Sequence, residues 1–379
     1  MDEAIVIGAG IGGLAAAAAL GQAGWRVRVV ESAPELGEVG AGLVVTANGY
    51  RAAEVIGAAE QIKRDGYDVR AAGTRRWDGK WLLKAPDGGG RMIGIHRRRL
   101  HQALADAQHA EVVLGARVCE VEPGTPQGER ARVAWESADG VHSARAALVV
   151  AADGIRSVTR SALFPNALRY SGFSCWRAAI TDTTVDDRFA MTWGPNAEFG
   201  ALRISADEVY WYGYVAMPSG QLVADEVRAV REYFATWAPD VRALTATTDE
   251  VIRHDVWVLD RPLPRYTVGR VVLVGDAAHP MLPTLGQGAN SALEDAVTVG
   301  LVLPAGGDLA AGLERYQEQR YRRTRRLVTR SAQMGRMGAE VGPRGQVLRN
   351  ALLRITPPRA ALRNGTRIFE WTPPRSLGA

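Results

Sequence analysis

The chain has little lysine and little cysteine, and its histidines stand apart from one another. Of 46 basic residues in 379, only Lys63, Lys80 and Lys84 are lysines, and the rest are arginines in a sequence rich in alanine and glycine. That skew reads as a coding bias, so a net charge of +5 points to no nucleic-acid partner. The densest basic run, residues 315–330, has helical character and is expected to form a solvated helical face, with phosphate or membrane contact as the alternative. Two cysteines, Cys119 and Cys175, are too few for a disulfide framework; both are expected to be reduced, in a cytoplasmic protein. None of the six histidines has metal-ligand spacing, so no metal is expected. Ala4 to Trp25 lacks charge and is long enough to span a bilayer. Acidic Asp2 and Glu3 precede it and four of its glycines fall within six positions, so it is expected to divide into strand, turn and helix without integral membrane contact.

Ala4-Ile5-Val6-Ile7 is the short apolar run of a buried parallel strand. Gly8, Gly10, Gly12 and Gly13 follow, and an alanine-rich helical segment comes next. GxGxxG between strand and helix suits a dinucleotide. The first glycine makes the turn, the second admits the pyrophosphate, and the last lets helix and sheet pack closely. A second strand, 27–30, ends in Glu31, about 20 residues on, where a carboxylate meets ribose hydroxyls. NAD and FAD both satisfy this pattern.

Two later stretches narrow the choice. The strand 148–152 leads into Asp153-Gly154-Ile155-Arg156-Ser157-Val158-Thr159-Arg160, and the strand 270–274 leads into GDAAHPMLPTLGQGAN, residues 275–290. Together with GxGxxG these resemble the three fingerprints of the class A flavoprotein monooxygenases, the family of para-hydroxybenzoate, salicylate and urate hydroxylases and zeaxanthin epoxidase. The resemblance runs from residue 1 to about 300. It implies an α/β fold, with a Rossmann-like FAD-binding domain, an inserted, mostly antiparallel substrate sheet and C-terminal helices. It implies FAD as cofactor, NADH or NADPH as transient electron donor, and O2 as co-substrate, one oxygen atom being inserted through a flavin C4a-hydroperoxide. By position, Asp276 resembles the aspartate on the FAD ribitol, and Gly286, Gln287, Gly288, Ala289 and Asn290 resemble the helix start beside the flavin ring. Arg97, in an RxxL element, is implied as an FAD contact, as are Ser32, Val44, Val118 and Asp153. His279 is expected to pack or hydrogen-bond near the flavin rather than act as a base. Glu294 and Asp295, adjacent on a helix, are expected to face different ways.

Between the fingerprints lie short aromatic runs, 173–180, 189–193, 199–204 and 209–215, expected to form one antiparallel sheet over the flavin. A hairpin turn is expected at 77–81 and a helix at about 222–246. Alternation places Tyr210, Tyr212 and Tyr214 on one face and Trp211 on the other, without saying which face is inner. Such a pocket suits a largely apolar, aromatic molecule, with Arg177 and Arg203 as polar anchors and Tyr212 and Pro283 as positioning residues. Where urate hydroxylases place an arginine, this chain has Glu198 and Phe199, which counts against urate, although Cys175-Trp176-Arg177 resembles that branch. The expected division is residues 1–70, 93–170 and 262–300 for FAD, 71–92 and 171–261 for substrate, and 301–379 for a helical region broken at Gly342-Pro343 and Pro357-Pro358. A monomer or homodimer is expected. The rival readings are Baeyer–Villiger oxygenation, halogenation or reduction on the same fold, and a non-catalytic FAD or ligand sensor.

Overall fold

The computed structural model describes residues 2–37, 40–85, 90–356 and 367–375. Its N-terminal segment forms the strand Glu3–Ile7, a glycine turn and the helix Ile11–Gln22. No described helix is long and apolar enough to cross a membrane. The first strand is central to a six-stranded sheet, between Leu148–Ala151 and Arg26–Val30, and both pairings are parallel. Val271–Leu273 lies beyond Leu148–Ala151, so the strands that precede all three fingerprints run side by side. The loops at their C-terminal ends therefore open at one edge, where parallel sheets place ligands. Helix Ile11–Gln22 packs against helix Gly288–Val302 through small side chains. A Cβ at Gly300 would stand 2.6 Å from the Ala19 carbonyl oxygen, so this approach requires glycine.

The second large sheet has nine strands. Ile252–Leu259, Leu168–Thr181, Glu208–Ala216, Ala197–Arg203 and Arg188–Gly194 are followed by Tyr67–Arg76, Arg91–His96 and Gly42–Val45, and Trp81–Lys84 pairs with Tyr67–Arg76. All pairings are antiparallel except that of Arg188–Gly194 with Tyr67–Arg76. The expected boundaries at 70/71 and 92/93 thus fall inside strands, because the sheet reaches back to Gly42. The hairpin at 77–81 forms, with Gly79 at φ 86°. The single helix expected at 222–246 is two, Glu226–Tyr233 and Pro239–Ala246, because Pro239 cannot continue a helix and instead starts one. Helices Leu309–Met337 and Pro343–Ile355 meet at Gly342-Pro343 as expected. Pro357-Pro358 lies outside the described residues.

The two short helices decide which sheet face is inner. Trp176, Phe199 and Trp211 pack with Val241 of the second helix and with Phe234 and Trp237 of the link between the two. Tyr210, Leu202, Phe189 and Tyr212 face the other way, onto Ala41 and Val44. The tyrosine face therefore looks toward the fingerprint loops. Trp211 is fully buried and donates its indole N–H to the Thr248 hydroxyl at 2.9 Å. Trp211→Ala is expected to cost about 3–5 kcal/mol, measurable by urea unfolding; a loss below about 1 kcal/mol would mean the helix layer is not a packed core.

Candidate active site

The turn after the first strand is built by glycines that no other residue can replace. Gly8 has φ 94°, and a Cβ there would lie 2.6 Å from the Ala152 carbonyl oxygen; at Gly13 it would lie 1.9 Å from that of Gly8. Gly10 caps helix Ile11–Gln22 without a side-chain bond, which leaves first-turn N–H groups for an anion. Glu31 ends the neighbouring strand. Its Oε2 accepts from the Ala9 N–H at 2.6 Å and its Oε1 from the Ala33 N–H at 2.7 Å and the Ser32 hydroxyl at 3.1 Å. A carboxylate oxygen can accept two bonds, and Oε2 accepts one, so the group is oriented yet Oε2 stays open to a ribose. Val118, buried, lies on the strand Arg117–Glu122. Arg97 starts helix Arg97–Asp106, its N–H donating to Ala41 O at 3.2 Å.

Asp153 is held within the second fingerprint. Its oxygens accept from the Ser157 hydroxyl at 2.6 Å and from the Thr159 N–H and hydroxyl at 3.0 and 2.9 Å, so it shapes its own loop. The residue that links the loops is Arg160, buried, which donates to the carbonyls of Ile155, Asp276 and Ala277. It clamps the second fingerprint to the third. Its own letter in DGxxSxxR was the available signal.

Asp276 stands on a one-turn helix whose neighbours are buried while its own side chain is exposed, as an acceptor for a ligand must be. Gly275 N donates to Asp295 Oδ2 at 2.9 Å, and His279 Nε2 is 2.5 Å from the same oxygen. Arg320 bonds both Asp295 Oδ1 and Glu294 Oε2 at 2.6 Å, and Arg323 and Asn48 bond Glu294 as well. Two expectations are corrected here. Glu294 and Asp295 converge on one guanidinium rather than diverge. The arginine-rich helix is no simple solvated face, since Arg320 is fully buried. Burial pushes the Asp295 carboxyl up, but the charges of His279 and Arg320 outweigh it and hold it at about 2.

The third fingerprint ends in a built helix start. Gly286 has φ 60°, and a Cβ there would be 3.0 Å from Val44 Cγ2. Asn290 accepts from Thr46 N at 2.9 Å and donates to Val44 O at 3.0 Å and Gly286 O at 2.8 Å. Gln287 donates to the Thr46 hydroxyl at 3.0 Å and accepts from Asn48 at the same distance. These side chains stitch strand Gly42–Val45 to the helix, which leaves the backbone N–H groups around Gly288 and Ala289, with no side-chain cap, to face a ligand. Pro283 opens the preceding turn, and Thr284 fastens it to Ser331 O at 2.7 Å.

Arg177 lies on the strand next to the tyrosines, its Nε 3.5 Å from Cys175 Sγ and its charge within reach of Tyr210 and Asp276. His254, opposite Cys175, was missed by sequence reading; desolvation and the nearby Arg177 and Arg97 hold its imidazole below the ordinary range. Arg203 does not join this group. It donates to the carbonyls of Thr183, Val185 and Ala206 at 2.6–2.7 Å and stacks over Tyr67 at 5.4 Å. It ties down a loop, and its anchor role is withdrawn. The Tyr212 hydroxyl donates to Glu198 Oε1 at 2.6 Å, and the Trp193 indole donates to Oε2 at 2.9 Å. Burial pushes the Glu198 carboxyl up to about 7, these two bonds offsetting only part of the effect. A group raised from 4.5 to about 7 is protonated in the folded state and ionised in the unfolded chain between those values. Its stabilisation is complete below pH 4.5 and is lost as pH rises through about 7. Relative to wild type, the melting temperature of Glu198→Gln is therefore expected to gain about 2 °C or more between pH 5 and 8; parallel curves would contradict the burial assignment.

The glycine cradle, the two uncapped helix starts and the exposed Asp276 on one sheet edge fit a long dinucleotide with a polyol at its far end. Comparison with known proteins agrees. The FAD binding domain family profile matches residues 2–331. The chain is 33% identical over 351 residues to the aurachin C monooxygenase/isomerase of Stigmatella aurantiaca, spanning 88% of this chain and 89% of that one. It is 33% identical over 344 residues to the 3-amino-4-hydroxybenzoate 2-monooxygenase of Streptomyces cremeus, spanning 87% and 86%. The fold matches Klebsiella pneumoniae HpxO complexed with FAD and uric acid at a TM-score of 0.84 and 28% identity, over 97% of this chain and 96% of that one. With three fingerprints on one sheet edge and relatives matching over most of their length, the chain belongs to the class A FAD-dependent aromatic-ring monooxygenases.

Proposed function

We propose that this monooxygenase inserts one oxygen atom from O2 into a mostly apolar aromatic small molecule, by hydroxylation or epoxidation, in the cytoplasm, as a monomer or homodimer. The observation that carries the reading is the tyrosine face of the large sheet, turned onto Ala41 and Val44 rather than onto the helix layer, with Val44 itself beside Gly286. The chemistry supplied by bound FAD is hydride acceptance from NADH or NADPH and activation of O2.

The protein's part is binding, orientation and exclusion of water. Gly8, Gly10, Gly12 and Gly13 with the first turn of helix Ile11–Gln22 take the pyrophosphate, Glu31 the ribose and Asp276 the ribitol. The N–H groups at Gly288 and Ala289, free of a side-chain cap, would lie ready for negative charge on the flavin ring, where fixed donors would stabilise it without reorganising. Tyr210 and Tyr212 keep their protons, since burial raises both phenols far above the ordinary value, and so orient a substrate as neutral walls. Aromatic area and a dry chamber suit a planar apolar ring. A panel of aromatic compounds is expected to include some that stimulate NADPH oxidation coupled to oxygen uptake, with products heavier by one oxygen atom. Chloride-dependent products would instead indicate halogenation, and NADPH consumption indifferent to every aromatic would overturn the reading.

A further inference from the structure

Glu198 is fully buried and takes no part in the dinucleotide cradle, and among the described residues its hydrogen-bond partners are the neutral Tyr212 and Trp193. It shares its face of strand Ala197–Arg203 with Leu202, whereas Phe199 points to the helix layer. The Tyr212 ring lies over Gly200, where a Cβ would come within 2.4 Å of it. The end of helix Leu309–Met337 closes the other side. A Cβ at Gly338 would be 3.2 Å from Glu198 Oε2, and one at Gly335 would be 3.1 Å from Leu282, beside the Pro283 turn. The carboxylate therefore stands where the tyrosine face, the C-terminal helix and the third fingerprint meet. Arg349, over the Trp193 ring, is turned to the carbonyls of Met337 and Gly338 and to Asn350 instead.

Above about pH 7 Glu198 is an ionised carboxylate with about four acceptor positions, and Tyr212 and Trp193 fill two of them. A buried carboxylate without a cation is costly unless further donors reach it. A neutral substrate bearing O–H or N–H would supply such a donor, whereas a second carboxylate at that end would meet like charge in a poorly solvated interior. We propose that Glu198 determines specificity in the substrate chamber, accepting a hydrogen bond from the O–H or N–H of a neutral aromatic and excluding aromatics that carry a carboxylate. This rests on the chamber being the substrate site, and it sets the chain apart from the Streptomyces cremeus relative, whose name specifies a benzoate.

The test uses the FAD-loaded protein at pH 8 and three probes of one shape: 1-naphthol, 1-methoxynaphthalene and 1-naphthoate. Binding is read from perturbation of the flavin absorption spectrum, without turnover. Wild type is expected to bind 1-naphthol about tenfold or more tighter than either other probe. Glu198→Gln, which keeps an acceptor and loses the charge, is expected to tighten 1-naphthoate about tenfold while retaining the preference for naphthol over its methyl ether. Glu198→Asp, which keeps the charge, is expected to keep the exclusion. If wild type binds the three probes alike, or if Glu198→Gln leaves the naphthol-to-naphthoate ratio unchanged, the assignment of Glu198 is overturned while the chamber reading survives. If no aromatic perturbs the flavin, both fall. Should the Gln variant fail to fold, the wild-type series alone decides.

Discussion

Arg320→Met is expected to destabilise the protein by about 3–5 kcal/mol, the range for breaking a buried ion pair from one side. The guanidinium is fully buried and is shared by Glu294 and Asp295, themselves wholly inside. Glu294 keeps Arg323 and Asp295 keeps His279, yet each loses its most buried partner. The effect has a pH signature. Asp295 is held at about 2 against an ordinary 3.8, so its contribution is present above pH 3.8 and is lost as pH falls through about 2. With Arg320 gone that depression shrinks, and acid unfolding is expected to begin at higher pH. Because Asp295 also accepts from Gly275 N, the same change loosens the turn bearing Asp276. Urea unfolding at pH 7 and an acid titration check both points; a loss under about 1 kcal/mol with an unchanged acid midpoint would contradict them.

Asp276→Ala is expected to weaken FAD binding by about 10- to 100-fold, the worth of one hydrogen bond to a charged acceptor. The side chain is exposed on a turn fixed from behind by Arg160 and Asp295, so truncation removes an acceptor without collapsing the site. The expected result is a stable variant that purifies paler than wild type, with a weaker dissociation constant by flavin fluorescence. Equal FAD content and affinity would remove Asp276 from the site.

The residues legible in the sequence are those whose type is dictated by backbone geometry or by a ligand. Gly8 and Gly13 are glycine because carbonyl oxygens occupy the Cβ positions, and such demands recur at fixed spacing. Arg320 was hidden among arginines spaced along one helix, where amphipathic periodicity does not separate a buried guanidinium from a solvated one. The clue lay elsewhere, in Glu294 and Asp295 within a helix otherwise uncharged from Ala292 to Val302, since buried carboxylates require a counter-charge. Arg203 misled for a related reason: three carbonyl acceptors leave no mark in sequence. The tyrosine face was legible as a face but not as the inner one, because period-two alternation has no direction until the helices at Phe234 and Val241 choose a side. Glu198 showed only as a departure from urate hydroxylases; its partners, Trp193 and Tyr212, come from neighbouring strands, and pairing register is a tertiary property.

Titration of flavin-free protein with FAD tests most directly whether the three separated loops close around one FAD. One FAD per chain is expected, with quenched flavin fluorescence, a yellow protein after gel filtration and a raised melting temperature. Protein that stays colourless, with FAD fluorescence and melting temperature unchanged at saturating FAD, would contradict it.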